Sequence, residues 1–192
     1  MAVMSIAEAW PPVGRPFTVD DLDRMPEDGR RYELIDGVLT VSPAPVIAHQ
    51  FVAFQLARVL DEVCPEGIYV LPGPGMMVNV RTELIPDIVV VRKQDLRGPK
   101  LTGPPLLAVE VQSPSTKLFD LNQKKSVYEE FGVASYWIVV PDPARPQLTA
   151  FELRGSRYVK AAHVSGDEVF RARRPFPVEV VPARLVAGLT AG

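Results

Sequence analysis

Glu110 lies within Leu106-Leu107-Ala108-Val109-Glu110-Val111, a run that is otherwise apolar and reads as a strand buried on both faces. A carboxylate there is expensive to desolvate and needs a compensating partner. Upstream, Pro86-Asp87 opens a second apolar run, Ile88-Val89-Val90-Val91. If the two strands are neighbours, Asp87 and Glu110 stand at the same end of one sheet. Paired carboxylates of that kind suit a hard, oxygen-seeking cation such as Mg²⁺. Pro-Asp ahead of a strand is also ordinary turn chemistry, so the inference rests on Asp87 and Glu110 together.

Strand alternation puts Ala108, Glu110 and Gln112 on one face and Val109 and Val111 on the other. On a helical wheel Leu121, Lys124, Val127, Tyr128 and Phe131 form one stripe. A lysine in that stripe must either extend its head group to solvent or meet a negative partner. The loop 113–119 is short enough to return this helix to the sheet near Glu110. Aspartate, glutamate and lysine at one point suit metal-assisted phosphodiester hydrolysis. The acids hold the ion, which lowers the pKa of a bound water, and the lysine orients that water or meets the developing charge.

The elements that must position these groups follow from hydrophobic period and punctuation. A short helix is expected over 18–25, with Thr18 as N-cap and Asp21 three residues on. Strands 31–35 and 38–41 flank Asp36-Gly37, a tight hairpin turn. Val52, Leu56, Val59, Leu60 and Val63 define an amphipathic helix over 49–63. Strands follow at 67–71, 76–80, 88–91 and 106–111. A second long helix, 121–131, starts at Asp120, has Gln123 at capping-box spacing, and stops at Gly132. Strands 135–140, 148–153, 158–164 and 178–181 complete the chain. The class is α/β or α+β: a mixed β-sheet flanked by helices, with additional antiparallel strands toward the C-terminus. Residues 1–16 read as a loose leader and 17–192 as a single domain.

With 192 residues, 47% hydrophobic and 23% charged, the chain has the composition of a folded globular protein. Its apolar runs are strand-sized, so no membrane segment is expected. The first ten residues carry Glu8 and no basic residue, unlike a secretory signal. The one cysteine, Cys64, cannot form an internal disulfide, and both facts suit the cytoplasm. Beside Pro65 at a helix end, Cys64 reads as a half-buried structural thiol. Net charge −2 argues against sequence-independent attraction to nucleic acid over the whole surface. Arg171, Arg173 and Arg174, and Arg92 with Lys93, read as solvated edges, leaving a local basic patch open.

Taken in order, several motifs resemble one bacterial family. They are Tyr32-Glu33-Leu34-Ile35-Asp36-Gly37, Pro86-Asp87-Ile88-Val89-Val90-Val91, Val109-Glu110-Val111-Gln112-Ser113-Pro114-Ser115-Thr116, Asp120-Leu121-Asn122-Gln123-Lys124, Tyr128, Gly132-Val133 and Tyr136-Trp137. The family is that of restriction-endonuclease-like proteins within the PD-(D/E)xK nuclease superfamily. The resemblance implies a restriction-endonuclease-like core, a DNA endonuclease with Mg²⁺ or Mn²⁺ at its acids, and a homodimer without a small-molecule cofactor. Asp87 resembles the motif aspartate and Glu110 the motif glutamate. The superfamily's usual lysine position is occupied by Gln112, so the lysine role falls to Lys124, with Gln112 as a polar helper near the metal water. Glu33 resembles the family's hairpin glutamate, which would complete the acidic cluster or bind a second metal; a surface strand residue is the alternative. His49, where the family often has histidine, could face the cleft, cap the helix or be exposed. Tyr128 is expected to pack against Lys124, and Tyr136 and Trp137 to serve as core and edge packing, not as a base-stacking platform. A catalytically inactive DNA- or protein-binding module, suggested by Gln112 and the acidic pI of about 5.7, and a nuclease acting on RNA are the competing readings.

Overall fold

The computed structural model describes residues 15–112 and 118–189. Most of the expected leader, and the Ser113-Pro114-Ser115-Thr116 motif, lie outside the described residues. In chain order the elements are α1 (Val19–Leu22), β1 (Arg31–Ile35), β2 (Val38–Ser42), α2 (Ile47–Glu62), β3 (Ile68–Pro72), β4 (Met76–Asn79), β5 (Thr82–Leu84) and β6 (Ile88–Arg92). They continue with β7 (Leu107–Val111), α3 (Leu118–Phe131), β8 (Ser135–Val140), β9 (Gln147–Arg154), β10 (Arg157–Ser165), β11 (Phe170–Ala172), β12 (Val178–Val180) and α4 (Pro182–Leu185).

A six-stranded sheet in the order β10-β9-β8-β7-β6-β3 forms the centre. Its one parallel pair is β7 and β8, and α3 makes the crossover that parallel neighbours require. The remaining pairs are antiparallel. A four-stranded sheet, β2-β1-β5-β4, and a two-stranded one, β11-β12, flank it. The fold is thus mixed α+β, as expected from the sequence.

Alternation along the central strands separates two cores. Ile88, Val90, Leu107, Val109, Trp137 and Val139 face Val52, Leu56 and Leu60 of α2, with β11, β12 and α4 on the same side. Val89, Val91, Ala108 and Tyr136 face Tyr128 of α3 and Met76 and Leu84 of the small sheet. Glu110 shares the second face with Ala108. All five residues of β7 are buried, as the apolar run predicts.

The boundaries depart from expectation in physically legible ways. Helix α1 stops at Leu22, short of Met25, although Thr18 and Asp21 do meet: the Thr18 N–H and hydroxyl both donate to Asp21 Oδ2 at 2.9 Å. Helix α3 starts at Leu118, which places Asp120 inside it and overturns that residue as the helix cap. Its end matches: Gly132 has φ +89° and the Val133 N–H donates to the Tyr128 carbonyl at 3.0 Å. Val63, expected on the buried stripe of α2, lies past the helix end and is exposed. The short elements β5, β11 and α4 were not anticipated, since three or four residues give too little periodicity to read.

The hairpin turn locks the small sheet to the chain entering it. Asp36 and Gly37 have φ of 51° and 80°, the pairing of positive values that a two-residue turn demands. Gly37 donates its N–H to the Arg81 carbonyl at 2.8 Å and accepts from Phe17 N–H at 2.9 Å. A Cβ on Gly37 would lie 2.5 Å from Pro16 Cβ. Gly37→Ala is therefore expected to destabilise the fold by about 1–3 kcal/mol, read as a lowered midpoint in urea unfolding; an unchanged midpoint would show that the turn relaxes freely.

Candidate functional site

Antiparallel pairing of β6 and β7 sets Ile88 opposite Val109, which by continuation sets Asp87 opposite Glu110. The Asp87 N–H extends the ladder, donating to the Val109 carbonyl at 3.0 Å. The two acids thus stand side by side at one end of the sheet, where sequence reasoning put them. Asp87 Oδ2 accepts from the Val111 N–H at 2.8 Å and lies 3.0 Å from His49 Nε2. Its Oδ1 accepts from Arg31 at 2.8 Å. His49 is in the first turn of α2, buried and turned toward the sheet, which settles its position in favour of the cleft.

Lys124, only 4% exposed, does not reach for solvent. Its Nζ donates to Glu33 Oε1 at 2.8 Å and to both Glu110 oxygens at 3.3 Å. Glu33 is buried, not a surface strand residue, and also accepts from the Ile85 N–H at 2.8 Å. One turn beyond Lys124, the Tyr128 hydroxyl donates to Glu110 Oε1 at 2.5 Å. Its ring packs on Tyr136, 5.1 Å between centroids, and its polar end holds the glutamate, a bond not anticipated from the sequence.

These environments drive the two acids apart. Burial opposes the Asp87 charge, but the hydrogen bond and charge of His49 and the Arg31 guanidinium outweigh it and hold the carboxyl below its ordinary range. For Glu110 burial dominates; Asp87 and Glu33 repel its charge further, and Lys124 and Tyr128 only partly compensate, so it is pushed up to about 8.

The donor chemistry fits a divalent hard cation. Among the described residues no three His, Cys, Asp or Glu side chains converge closely enough to form a protein-only cage. Mg²⁺ is commonly held by one or two carboxylates, with waters and substrate phosphates completing its shell. A carboxylate offers about four lone-pair sites. Asp87 uses three, on Arg31, His49 and the Val111 amide; Glu110 uses three, on Lys124 twice and Tyr128.

The Uma2 family, described as putative restriction endonuclease, matches residues 19–187. The chain belongs to the Uma2 family. A crystal structure of a putative nuclease belonging to DUF820 from Anabaena variabilis ATCC 29413 is similar at TM-score 0.69 and 17% identity, over 90% of this chain and 98% of that one. At that identity the likeness is one of fold. No curated protein matches the chain. As an Uma2 member the protein is a nuclease of the restriction-endonuclease-like class, whose members generally use divalent metals. No helix among the described residues is long and apolar enough to cross a membrane.

Of the residues singled out from sequence, Asp87, Glu110, Lys124, Glu33 and His49 converge. Gln112 directly follows β7, on the strand face of Glu110. Its N–H donates to the Val139 carbonyl at 2.7 Å, and its side chain makes no hydrogen bond to this cluster among the described residues. Arg31 was missed. Alternation in β1 puts it on the face of Glu33, two residues away, so the signal was present once Glu33 was taken as inward. Cys64 is half-buried and donates to the Ile68 carbonyl at 3.3 Å, as a structural thiol.

Lys124→Met leaves two buried carboxylates without their cation and is expected to cost about 3–5 kcal/mol in chemical denaturation; a loss under 1 kcal/mol would mean water reaches Glu110. The raised Glu110 proton affinity also fixes a sign. Folded Glu110 holds a proton more tightly than the unfolded carboxyl, which titrates near 4.5. Its contribution to stability is present below that value and lost as pH rises through about 8. In EDTA the thermal midpoint should fall from pH 5 to pH 8.5 more steeply for wild type than for Glu110→Gln. Parallel slopes would place Glu110 in the ordinary range. Asp87, shifted the other way, acts only at acid pH and leaves this window clear.

Proposed function

We propose that this protein is a divalent-metal-dependent DNA endonuclease whose site consists of Asp87, Glu110 and Lys124, supported by Glu33, His49, Arg31 and Tyr128. The observation that carries the reading is the β6–β7 register that sets Asp87 beside Glu110, with Lys124 reaching Glu110 from α3. Asp87 and Glu110 would hold Mg²⁺ or Mn²⁺. Bound there, such an ion supplies an activated water and offsets charge on the phosphate.

The chain's own residues do the rest. Arg31, His49 and the Val111 amide fix the orientation of the Asp87 carboxylate, and Tyr128 fixes that of Glu110. Lys124 lies between Glu33 and Glu110 and can turn one of its three N–H donors toward a phosphate oxygen as charge develops there. Gln112, at the end of β7, would act as a polar helper near the metal water. A homodimer would present two such sites, one for each strand of duplex DNA; a monomeric mass in solution would restrict the activity to nicking.

A binding module without catalysis is the second reading, favoured by one feature: Lys124 is committed to two carboxylates and is not poised over an open site. Supercoiled plasmid incubated with Mg²⁺ or Mn²⁺ separates the two. Wild type should nick or linearise it while Asp87→Ala and Glu110→Gln, purified identically, fall by about 10²-fold or more. Equal cleavage by all three would mark a contaminant or another site, and DNA retention without cleavage would support the binding module. RNA and single strands in parallel reactions assign the substrate.

Metal uptake should also displace the Glu110 proton, because a ligating carboxylate must be ionised. Calorimetric titration of wild type with Mn²⁺ at pH 7, in buffers of differing ionisation enthalpy, is expected to reveal proton release. Glu110→Gln should release fewer protons; equal release would remove Glu110 from the metal site.

A further inference from the structure

A cleft of about 490 Å³ reaches the acid cluster at Asp87. Arg31, His49 and Asp87 form its inner end, and one wall is the solvent-facing side of α2, where Gln50, Phe54 and Arg58 succeed one another at four-residue spacing. That spacing stacks them along a single stripe about 6 Å apart along the helix axis. The opposite stripe, Val52, Leu56 and Leu60, is fully buried, so the rotation of α2 is fixed and the outer stripe must face the cleft.

Phe54 is the notable member. It is 63% exposed, and a lone exposed aromatic is unremarkable by itself. Here the ring forms part of the wall of the cleft that ends at Asp87, one turn from an amide and one turn from a guanidinium. Among the described residues Arg58 has exposed contacts to Gln55 at 3.3 Å and Glu62 at 3.5 Å, weak enough to be exchanged for a phosphate. Asp61 closes the far end with a negative charge, limiting the anionic stretch the cleft accepts.

We infer that this cleft is the binding track for an unpaired DNA segment, with a base stacked on Phe54, its phosphate on Arg58, and the strand leading toward Asp87. The inference deepens the nuclease reading by naming the substrate class: single strands, frayed ends or flaps in preference to continuous duplex. An aromatic ring on a helix surface can cover only a base face that neighbouring bases have left free. Within a duplex both faces are covered; in an unpaired strand they are not. Gln50, between Phe54 and the acid cluster, supplies hydrogen-bond donors and an acceptor to a base edge or sugar.

The test is fluorescence anisotropy of the full chain in EDTA, at fixed salt, with a short labelled oligothymidylate and a blunt duplex. Wild type should bind the single strand more tightly than the duplex. Phe54→Ala should weaken the single strand by about five- to 150-fold and Phe54→Trp should retain it, with little change for the duplex in either variant. Since Phe54 is exposed, all three proteins should share one thermal midpoint, which checks folding. Equal single-strand affinity of wild type and Phe54→Ala, a preference for duplex, or no binding of the single strand would each overturn the inference. Cleavage lost in Glu110→Gln bears on the nuclease reading alone, so the two can fail separately.

Discussion

The desolvated carboxylate of Glu110 is the constraint around which this protein is organised. Strand β7 is buried along its whole length, and a carboxyl group at that depth is tolerated only with partners at hydrogen-bonding distance. Lys124 and Tyr128 supply them from one face of α3. Lys124 in turn draws in Glu33, which fastens the small sheet through the Ile85 amide. A helix, a central strand and a separate sheet are thereby oriented about one oxygen pair. The apolar contacts around them, Val89, Ala108, Tyr136 and Leu84 among them, favour proximity but little else; the polar network selects a particular arrangement within it.

The neighbouring acid is treated oppositely. Asp87 sits at the end of β6, where a backbone amide, a histidine and an arginine converge on it. It is kept ionised while Glu110 is pushed toward its neutral form. Two adjacent carboxylates with divergent proton affinities are a recurrent mark of sites that handle protons or cations. The arrangement also stores a response: added positive charge would be welcomed by Glu110 and would relieve its repulsion from Asp87 and Glu33. The hard-cation reading and the electrostatics therefore have the same physical root.

Helix α2 links this cluster to the surface. Its inner stripe builds the opposite core, its first turn delivers His49 to Asp87, and its outer stripe lines a cleft that reaches Asp87. Packing on one side thus dictates what is displayed on the other, and the proposed strand track depends on the same rotation that buries Val52, Leu56 and Leu60.

Sequence alone determined much of this. Apolar runs identified β6 and β7, and the charge misplaced in one of them identified Glu110. Period 3.6 found α2 and the stripe carrying Lys124; Asp36-Gly37 found the hairpin. These signals are local, read from residues a few positions apart. What only the tertiary structure decided was which atoms of distant groups bond to one another. Arg31 and Asp87 are separated by 56 positions and Lys124 and Glu33 by 91, and no period or spacing encodes such pairs. The bond from the Tyr128 hydroxyl to Glu110 is hidden for the same reason, because the ring is placed by helix period but its hydroxyl by the depth of the sheet beneath it. Helix starts and three-residue strands were lost to short range, as at Asp120 and β5. Chain chemistry specified the participants; their pairing followed from burying two faces of one sheet at once.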